Sequence, residues 1–397
     1  MSTARPDVAI VGIGATPYYR RGESWPRTIT ELACEAILAA CEDAGLSVTD
    51  IDGFAYYSEA GAGYGSKFET ALFMETLGIP DVGFSATLTS GGGGAAGSIG
   101  LARAAIVAGD ANVVVTVMAL QQTKNRLGSV FANQPPNPLN SFVRPAGMSG
   151  PGHLMSVLAR RHMHDYGTRR EAFAEIAISQ RKNAMNRPKA IMREPLTLDD
   201  YFNARMIADP LCLYDFCLET DGAVAVITTS MDRAKDLRQP PVPVIAAAHG
   251  GSRDWGRAFA WFGMPRETFA SSGHAAVAER LYQRAGVGPE DIDVALLYDH
   301  FTPMVLMQLE DYGFCKRGEG GEFVESGAIR YEGGSIPVNT HGGHLSEGYV
   351  IGMTHIVEGV EQMRGTAINQ VAGAELALVT GGPAALPVSG LILGKAR

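Results

Sequence analysis

Cysteine is scarce in this chain: five among 397 residues, at irregular spacing. No set of them has zinc-ligand spacing and none suggests a disulfide framework, so reduced thiols and a cytoplasmic protein are expected. Basic charge is also short. Against 42 Asp and Glu stand 33 Lys and Arg, a formal charge of −9 that argues against nucleic acid or an anionic membrane as main partner. No apolar run reaches a membrane span, and MSTARPDVAIVGIGATPYY has no long signal core. The early GIGATP lacks the third glycine of a dinucleotide-binding turn. His162 and His164, two apart, do not share a helix face, and no carboxylate pattern completes a metal site. No metal is expected.

Glycine, by contrast, is abundant at 48, which implies many tight turns and close backbone approaches. With 46% hydrophobic and 19% charged residues the composition is globular, and the length suggests two or three domains.

One unit is used twice. A β-branched strand (VAIVG, Val8–Gly12) precedes a helix within Trp25–Ala44, periodic through Leu32, Ala36, Ile37 and Ala40, with Cys34 and Cys41 expected in the core. AGLSVTDID follows, then a strand at Gly53–Tyr57. The second copy has VPVIA (Val242–Ala246), a helix at Ala275–Ala285, AGVGPEDID and a strand at Val294–Tyr298. A second pairing supports the first. Gly91–Gly94 leads into a small-residue helix and the strand Asn112–Val117, as HGGHLSEG leads into its own helix and the strand Glu375–Thr380. This predicts an α/β protein of two similar halves, 1–240 and 241–397, joined near Pro240, Pro241 and Pro243.

An inserted segment, about 120–210, is expected to be irregular and opens with the turn-rich Asn133–Pro138. It holds a basic run: Arg160, Arg161, Arg169, Arg170, Arg181, Lys182, Arg187, Lys189 and Arg193. Such a run either receives phosphates or forms a solvated helical face.

The densest chemistry lies in Pro337–Gly365. His341, Gly342, Gly343, His344, Ser346, Glu347 and Gly348 form a polar turn, followed by helical spacing at Val350, Met353, Val357 and Val360. Ser346 is the expected N-cap and Glu347 a first-turn acid, which places Tyr349 at a helix start where an anionic oxygen is favoured.

The segments DVAIVGIGATPYYRR, ELACEAILAACEDAGL, MIADPLCLYDFCLETDGAVAVI, GFCKRGEGGEF and PVNTHGGHLSEGY resemble the thiolase superfamily, in its lipid-transfer-protein (sterol-carrier-protein-like) branch. The resemblance spans nearly the whole chain. It implies the duplicated, five-layered αβαβα thiolase fold, a homodimer, and an acyl-CoA thioester as ligand, CoA being part of the substrate and not a separate cofactor. A thiolase requires a nucleophilic cysteine at the start of the small-residue helix, yet glycine stands there, at Gly92 and Gly93. No cysteine follows Cys315, where a thiolase needs its second. Without a thiolate no acyl-enzyme forms.

Two further motifs change together. Tyr298-Asp299-His300-Phe301 replaces Asn-Glu-Ala-Phe, and in His341-Gly342-Gly343…Gly348-Tyr349 a tyrosine replaces a catalytic histidine. This is similar to the thiolase-related aldolases of steroid side-chain degradation, which cleave a β-hydroxyacyl-CoA with two tyrosines and commonly work with a small OB-fold/zinc-ribbon subunit in a heterotetramer. The resemblance implies that Tyr298 and Tyr349 exchange protons with the substrate. His300, His341 and His344 would polarise the thioester or orient a tyrosine, with Asp299 and Ser346 beside them. Gly92, Gly93, Gly343, Arg160 and Arg161 would contact the CoA thioester. Two alternatives are a non-catalytic acyl-CoA-binding scaffold and a residual thiolase using Cys212 or Cys315.

Overall fold

The computed structural model describes residues 7–57, 68–89, 91–122, 141, 143–251, 269–384 and 387–396. The chain begins with β1 (Val8–Ala15), β2 (Tyr19–Arg20), α1 (Ile29–Ala44), β3 (Gly53–Tyr57) and α2 (Thr70–Leu77). Then come β4 (Phe84–Leu88), α3 (Gly94–Ala108) and β5 (Val113–Leu120). The inserted segment contributes α4 (Pro151–Tyr166), α5 (Arg170–Met185), α6 (Leu198–Asn203) and the strand pair β6 (Met206–Ala208) and β7 (Leu211–Cys212). β8 (Thr220–Ser230) and α7 (Met231–Ala234) return the chain to the main sheet. The remainder holds β9 (Val242–Gly250), α8 (Ala275–Ala285), β10 (Val294–Leu296), α9 (Thr302–Asp311) and α10 (Gly320–Glu325). It closes with α11 (Gly343–Ser346), α12 (Met353–Arg364), β11 (Leu376–Gly381) and β12 (Val388–Gly394).

The sheet order, β4-β3-β5-β8-β1-β9-β12-β11-β10, is a repeat folded about its middle. Outward from the β1–β9 junction the successions β1-β8-β5-β3 and β9-β12-β11-β10 correspond. The senses agree too: β3–β5 and β10–β11 are parallel, and the other pairs of these two successions are antiparallel; the edge strand β4 adds to β3 in parallel. The junction itself is slight, with Ala9 opposite Pro243 and Ile10 opposite Val242.

Strand alternation sets the layers. On β1, Ala9 and Val11 pack with α1, whereas Val8 and Ile10 pack with α3 and α12. α8 covers β9 and β12 from the other outer side, and α3 and α12 touch strands of both halves. The succession is therefore helix, sheet, paired helices, sheet, helix. The two central helices start at glycine, Gly93 before α3 and Gly352 before α12.

The repeated acidic unit has a physical job. Asp52 accepts from the backbone N–H of Asn112 and Val113 (2.9 and 2.7 Å), at the start of β5. Asp293 accepts from Glu375 and Leu376 (2.8 and 2.9 Å), at the start of β11. Each carboxylate thus pairs strand-end donors that the parallel ladder leaves open.

From Pro151 the insertion, expected to be irregular, is built mainly of helices, α4, α5 and α6, with a non-helical stretch at 186–197; Asn133–Pro138 lies outside the described residues. Three of the nine cations of its basic run, Arg169, Lys182 and Arg187, form ion pairs with the second half, and a reverse pair runs from Glu175. Arg169 pairs with Glu325, Glu175 with Arg330 (2.6 Å), and Lys182 with Glu332 (2.7 Å). α5 is buried on most sides because α9, α10 and α11 pack against it.

Candidate active site

Tyr298 stands just past the end of β10, which is two residues shorter than its pattern predicts. The backbone there is clamped. Leu297 N–H donates to Asn339 Oδ1 and Leu297 C=O accepts from Asn339 Nδ2, both at 2.8 Å. Tyr298 N–H donates to Thr380 Oγ1 (2.9 Å), and its carbonyl accepts from Gln308 Nε2 (2.8 Å). Tyr349 is fixed by its N–H, which donates to Thr220 Oγ1 (2.9 Å) at the head of β8. The two phenol oxygens hydrogen-bond to each other at 3.1 Å, and both residues are buried.

The phenol of Tyr298 fills the space toward which a side chain at position 92 would point. A Cβ on Gly92 would lie 2.2 Å from Tyr298 Cζ and 2.5 Å from its oxygen. The turn Gly381-Gly382 packs against the Gly92-Gly93 backbone, where a Cβ on Gly382 would lie 2.2 Å from Gly93 N. α3 and α12 both begin beside Tyr298: Gly352, before α12, would bring a Cβ within 3.1 Å of its ring.

Behind the tyrosines lies a buried acid–histidine cluster. Asp299 accepts from the N–H of His344 (3.0 Å) and Leu345 (3.3 Å), and Gln180 donates to it at 2.5 Å with its amide nitrogen turned that way. Gly343, at φ 61°, is required here, because a Cβ would sit 2.1 Å from Asp299 Oδ2. His344 Nδ1 is 3.1 Å from Asp299 Oδ1, at an angle too oblique for a good hydrogen bond. Its ring stands edge-on to both phenols, with centroids 4.7 Å from Tyr298 and 4.9 Å from Tyr349. Gly352 N–H donates to His344 Nε2 (3.0 Å), which leaves the proton on Nδ1. Burial, with His355, His341 and His300 nearby, holds this imidazole well below its usual pKa, so it is neutral.

Asp299, His344 and His355 offer ligand atoms within 4.8 Å of one another. The hydrogen-bond polarity does not fit a metal. Nδ1 of His344 is the protonated nitrogen, and Nε2 of His355 donates to the Leu297 carbonyl at 2.9 Å. The atoms facing Asp299 therefore carry hydrogens, not free lone pairs.

His300 is partly exposed, edge-on to Tyr298 at 5.2 Å, and burial pushes its imidazole down to about 3. His341 is fully buried beside His355 (4.7 Å between rings). Tyr298, Asp299, His300, His341, His344, Tyr349, Gly92, Gly93 and Gly343 are thus brought together.

Ser346 and Glu347 play other parts than expected. Ser346 ends the short α11 and its Oγ accepts from Arg181 Nε (2.9 Å); it caps no helix. The long helix starts at Met353, and Tyr349 sits in the loop before it. Positive φ at Ile351 (42°) and Gly352 turns the chain there, set by the Gly352–His344 hydrogen bond. Arg160 pairs with Asp209, and Arg161 with Asp165 (2.6 Å); neither hydrogen-bonds to the tyrosine cluster among the described residues. Thr220, His355, Gln180 and Asn339 were not legible as site residues. A polar residue one turn into a glycine-started helix, as His355 is, was the available signal.

The cysteines do not supply a thiolate. Burial pushes the Cys41 and Cys212 thiols up to about 11 and Cys315 up to about 12. Cys217, unforeseen, runs beside the site with its N–H on the His300 carbonyl (3.0 Å), and burial followed by Asp299 raises it strongly as well.

Residues 263–394 match the family described as Thiolase C-terminal domain-like. The chain is 42% identical over 393 residues to 17-hydroxy-3-oxo-4-pregnene-20-carboxyl-CoA lyase of Mycobacterium tuberculosis, covering 97% of this chain and 98% of that one. It is 38% identical to the steroid side-chain-cleaving aldolase of Thermomonospora curvata over the full length of both. The chain belongs to the steroid side-chain-cleaving aldolases. Among solved structures, the Ltp2-ChsH2(DUF35) aldolase superposes with a TM-score of 0.90 at 38% identity over 99% of each chain. An acetyl-CoA acetyltransferase from Syntrophomonas wolfei shares the fold alone, with a TM-score of 0.70 at 15% identity, covering 98% of this chain and 99% of that one. Within the shared fold, this aldolase differs from a cysteine-dependent thiolase by a pair of hydrogen-bonded phenols where a thiol side chain has no room. Among the described residues of the aldolase, no helix is long and apolar enough to cross a membrane.

Proposed function

We propose that this chain cleaves the Cα–Cβ bond of a β-hydroxyacyl-CoA, a 17-hydroxy steroid side-chain thioester, to give a 17-ketosteroid and propionyl-CoA. The observation that carries the reading is the 3.1 Å contact between the Tyr298 and Tyr349 oxygens, beside two helix N-termini. One phenol, as its anion, takes the proton of the β-hydroxyl. The C–O bond becomes a ketone as the C–C bond breaks, and its electron pair enters the thioester as an enolate. The second phenol gives its proton to the α-carbon. The pair then holds one proton too many on the first oxygen and one too few on the second, and the shared hydrogen bond returns it. No net proton is consumed, and the thioester is its own electron sink, so CoA enters as part of the substrate and no separate cofactor is invoked.

The enolate oxygen needs donors. His300, partly exposed and neutral, and the backbone at Gly92-Gly93 and Gly343 are the candidates nearest the phenols. His344 and Asp299 orient the rings. The Ltp2-ChsH2(DUF35) aldolase carries a second component in its name, which supports a small partner subunit; the proposed assembly is a homodimer of this chain with OB-fold/zinc-ribbon subunits, a heterotetramer. Five unpaired cysteines support a reducing, cytoplasmic location.

The test is Tyr298→Phe and Tyr349→Phe, assayed for ketone release from a 17-hydroxy steroid acyl-CoA with and without the partner subunit. Each is expected to lower kcat by at least ~10²-fold, the scale of a lost general acid or base, with the circular dichroism spectrum unchanged. Full turnover in both variants would remove the mechanism.

A further inference from the structure

His341 is fully buried, and neither of its ring nitrogens has a hydrogen-bond partner among the described residues. Its Nε2 lies 4.0 Å from Oε2 of Glu347, which is itself 2% exposed. The other oxygen of Glu347 accepts from Arg187 Nε at 2.7 Å. Arg187 is one cation facing three carboxylates: its Nη1 donates to Glu358 (2.8 Å) and its Nη2 to Glu361 (3.2 Å). Glu358 is committed as an acceptor on both oxygens, since Oε1 also receives Thr340 Oγ1 (2.6 Å) and Gln362 Nε2 (3.0 Å). Tyr18, from the loop after β1, faces the same group, and Lys189 acts on Glu361. The cluster is built across three elements, the end of α5, the Tyr349 loop and α12.

A buried cation paired with three ionised carboxylates would carry an excess of two negative charges, which burial penalises heavily. We propose that Glu347 is a positioning residue: it carries a proton in the folded protein, and its neutrality lets the Arg187 cluster hold the 347–352 loop, and with it Tyr349, without a further buried anion. Burial pushes the Glu347 carboxyl up to about 8; Arg187 opposes this and Glu358 and Glu361 add to it. Glu347 is two residues from Tyr349 and shares its loop, so a shift of the Glu347 backbone displaces Tyr349. The inference rests on the aldolase reading of Tyr349.

The test uses amide hydrogen exchange on peptides spanning 347–352, corrected for intrinsic rates, on the wild-type complex and on Glu347→Gln. In the wild type, protection of the Tyr349 amide is expected to fall by about tenfold between pH 7 and pH 9 as Glu347 ionises. In Glu347→Gln, which cannot ionise, it should stay level. Ketone release should decline over the same interval in the wild type only. Glu361→Gln removes one competing charge and should move the midpoint about half a unit or more to lower pH.

Constant wild-type protection to pH 9, an identical fall in Glu347→Gln, or an unmoved midpoint in Glu361→Gln each overturns the proposal. If exchange behaves as expected while no β-hydroxyacyl-CoA is cleaved, the aldolase reading fails and the Glu347 proton stands.

Discussion

An atom placed at the Cβ position of Gly92 would lie 2.2 Å from the Cζ of Tyr298. A nucleophilic side chain at 92 and the phenol at 298 are mutually exclusive occupants of one volume. The glycine is therefore the condition for the tyrosine, and acyl transfer through position 92 is closed by packing as well as by chemistry.

Gly92→Ala tests that exclusion. The ring of Tyr298 is held by Gly352 and by the clamp at Leu297 and Asn339, so it has little room to retreat. A stability loss of about 1–3 kcal/mol is expected from overpacking, with kcat falling at least ~10-fold as the phenol pair is spread. Gly92→Cys should show the same loss and gain no thiolase activity. Denaturant titration and ketone release measure both, and unchanged values in Gly92→Ala would remove the packing argument.

Asp299→Asn probes the layer beneath. The carboxylate receives two backbone N–H groups and faces protonated nitrogens of His344 and His355. An amide there directs its NH₂ at other donors, whichever way it is turned. Loss of about 2 kcal/mol is expected from hydrogen bonds to a charged group. Activity should drop more at kcat than at KM, because the groups displaced orient the phenols and do not hold the CoA. Equal kcat in the two proteins would show that the cluster is only structural.

Much of the frame was legible because the repeat is local. β3 at Gly53–Tyr57 and α8 at Ala275–Ala285 fall where periodicity puts them, since glycine ends α8 and an aspartate turn precedes β3. The pairing of both tyrosines with one pocket also followed from motif positions. The helix start did not. Val350 to Val360 reads as one unbroken apolar stripe, yet Ile351 is driven to φ 42°, costly for a β-branched residue, by contacts from His344 that are distant in nothing but conformation. The role of the basic run was hidden for the reverse reason. Its partners, Glu325, Glu332 and Arg187's three carboxylates, lie more than a hundred residues away, where no pattern in the run can announce them.

Buried titratable groups give the protein a stability maximum in pH, with the two sides set by different residues. His274 is pushed down to about 3 by burial, and His341 and His344 are held well below their usual value. Each is neutral when folded and titrates near 6.5 when unfolded. As pH falls below 6.5 the unfolded chain binds more protons, and stability is lost at about 1.4 kcal/mol per pH unit for each. Glu347 has the opposite sign. Its folded value of about 8 exceeds the unfolded value, so its contribution is full at low pH and is lost as pH rises through 8. Between pH 5 and 6.5 these histidines, with His300 beside them, outweigh the raised carboxyls, and above 6.5 the slope is that of the carboxyls, Glu347 with Glu361 and Asp215 acting in the same direction. Thermal unfolding from pH 5 to 9 should therefore show Tm rising to a maximum near neutrality and then declining, with the decline shallower in Glu347→Gln. A wild-type Tm that climbs steadily through pH 8 would contradict the assignment.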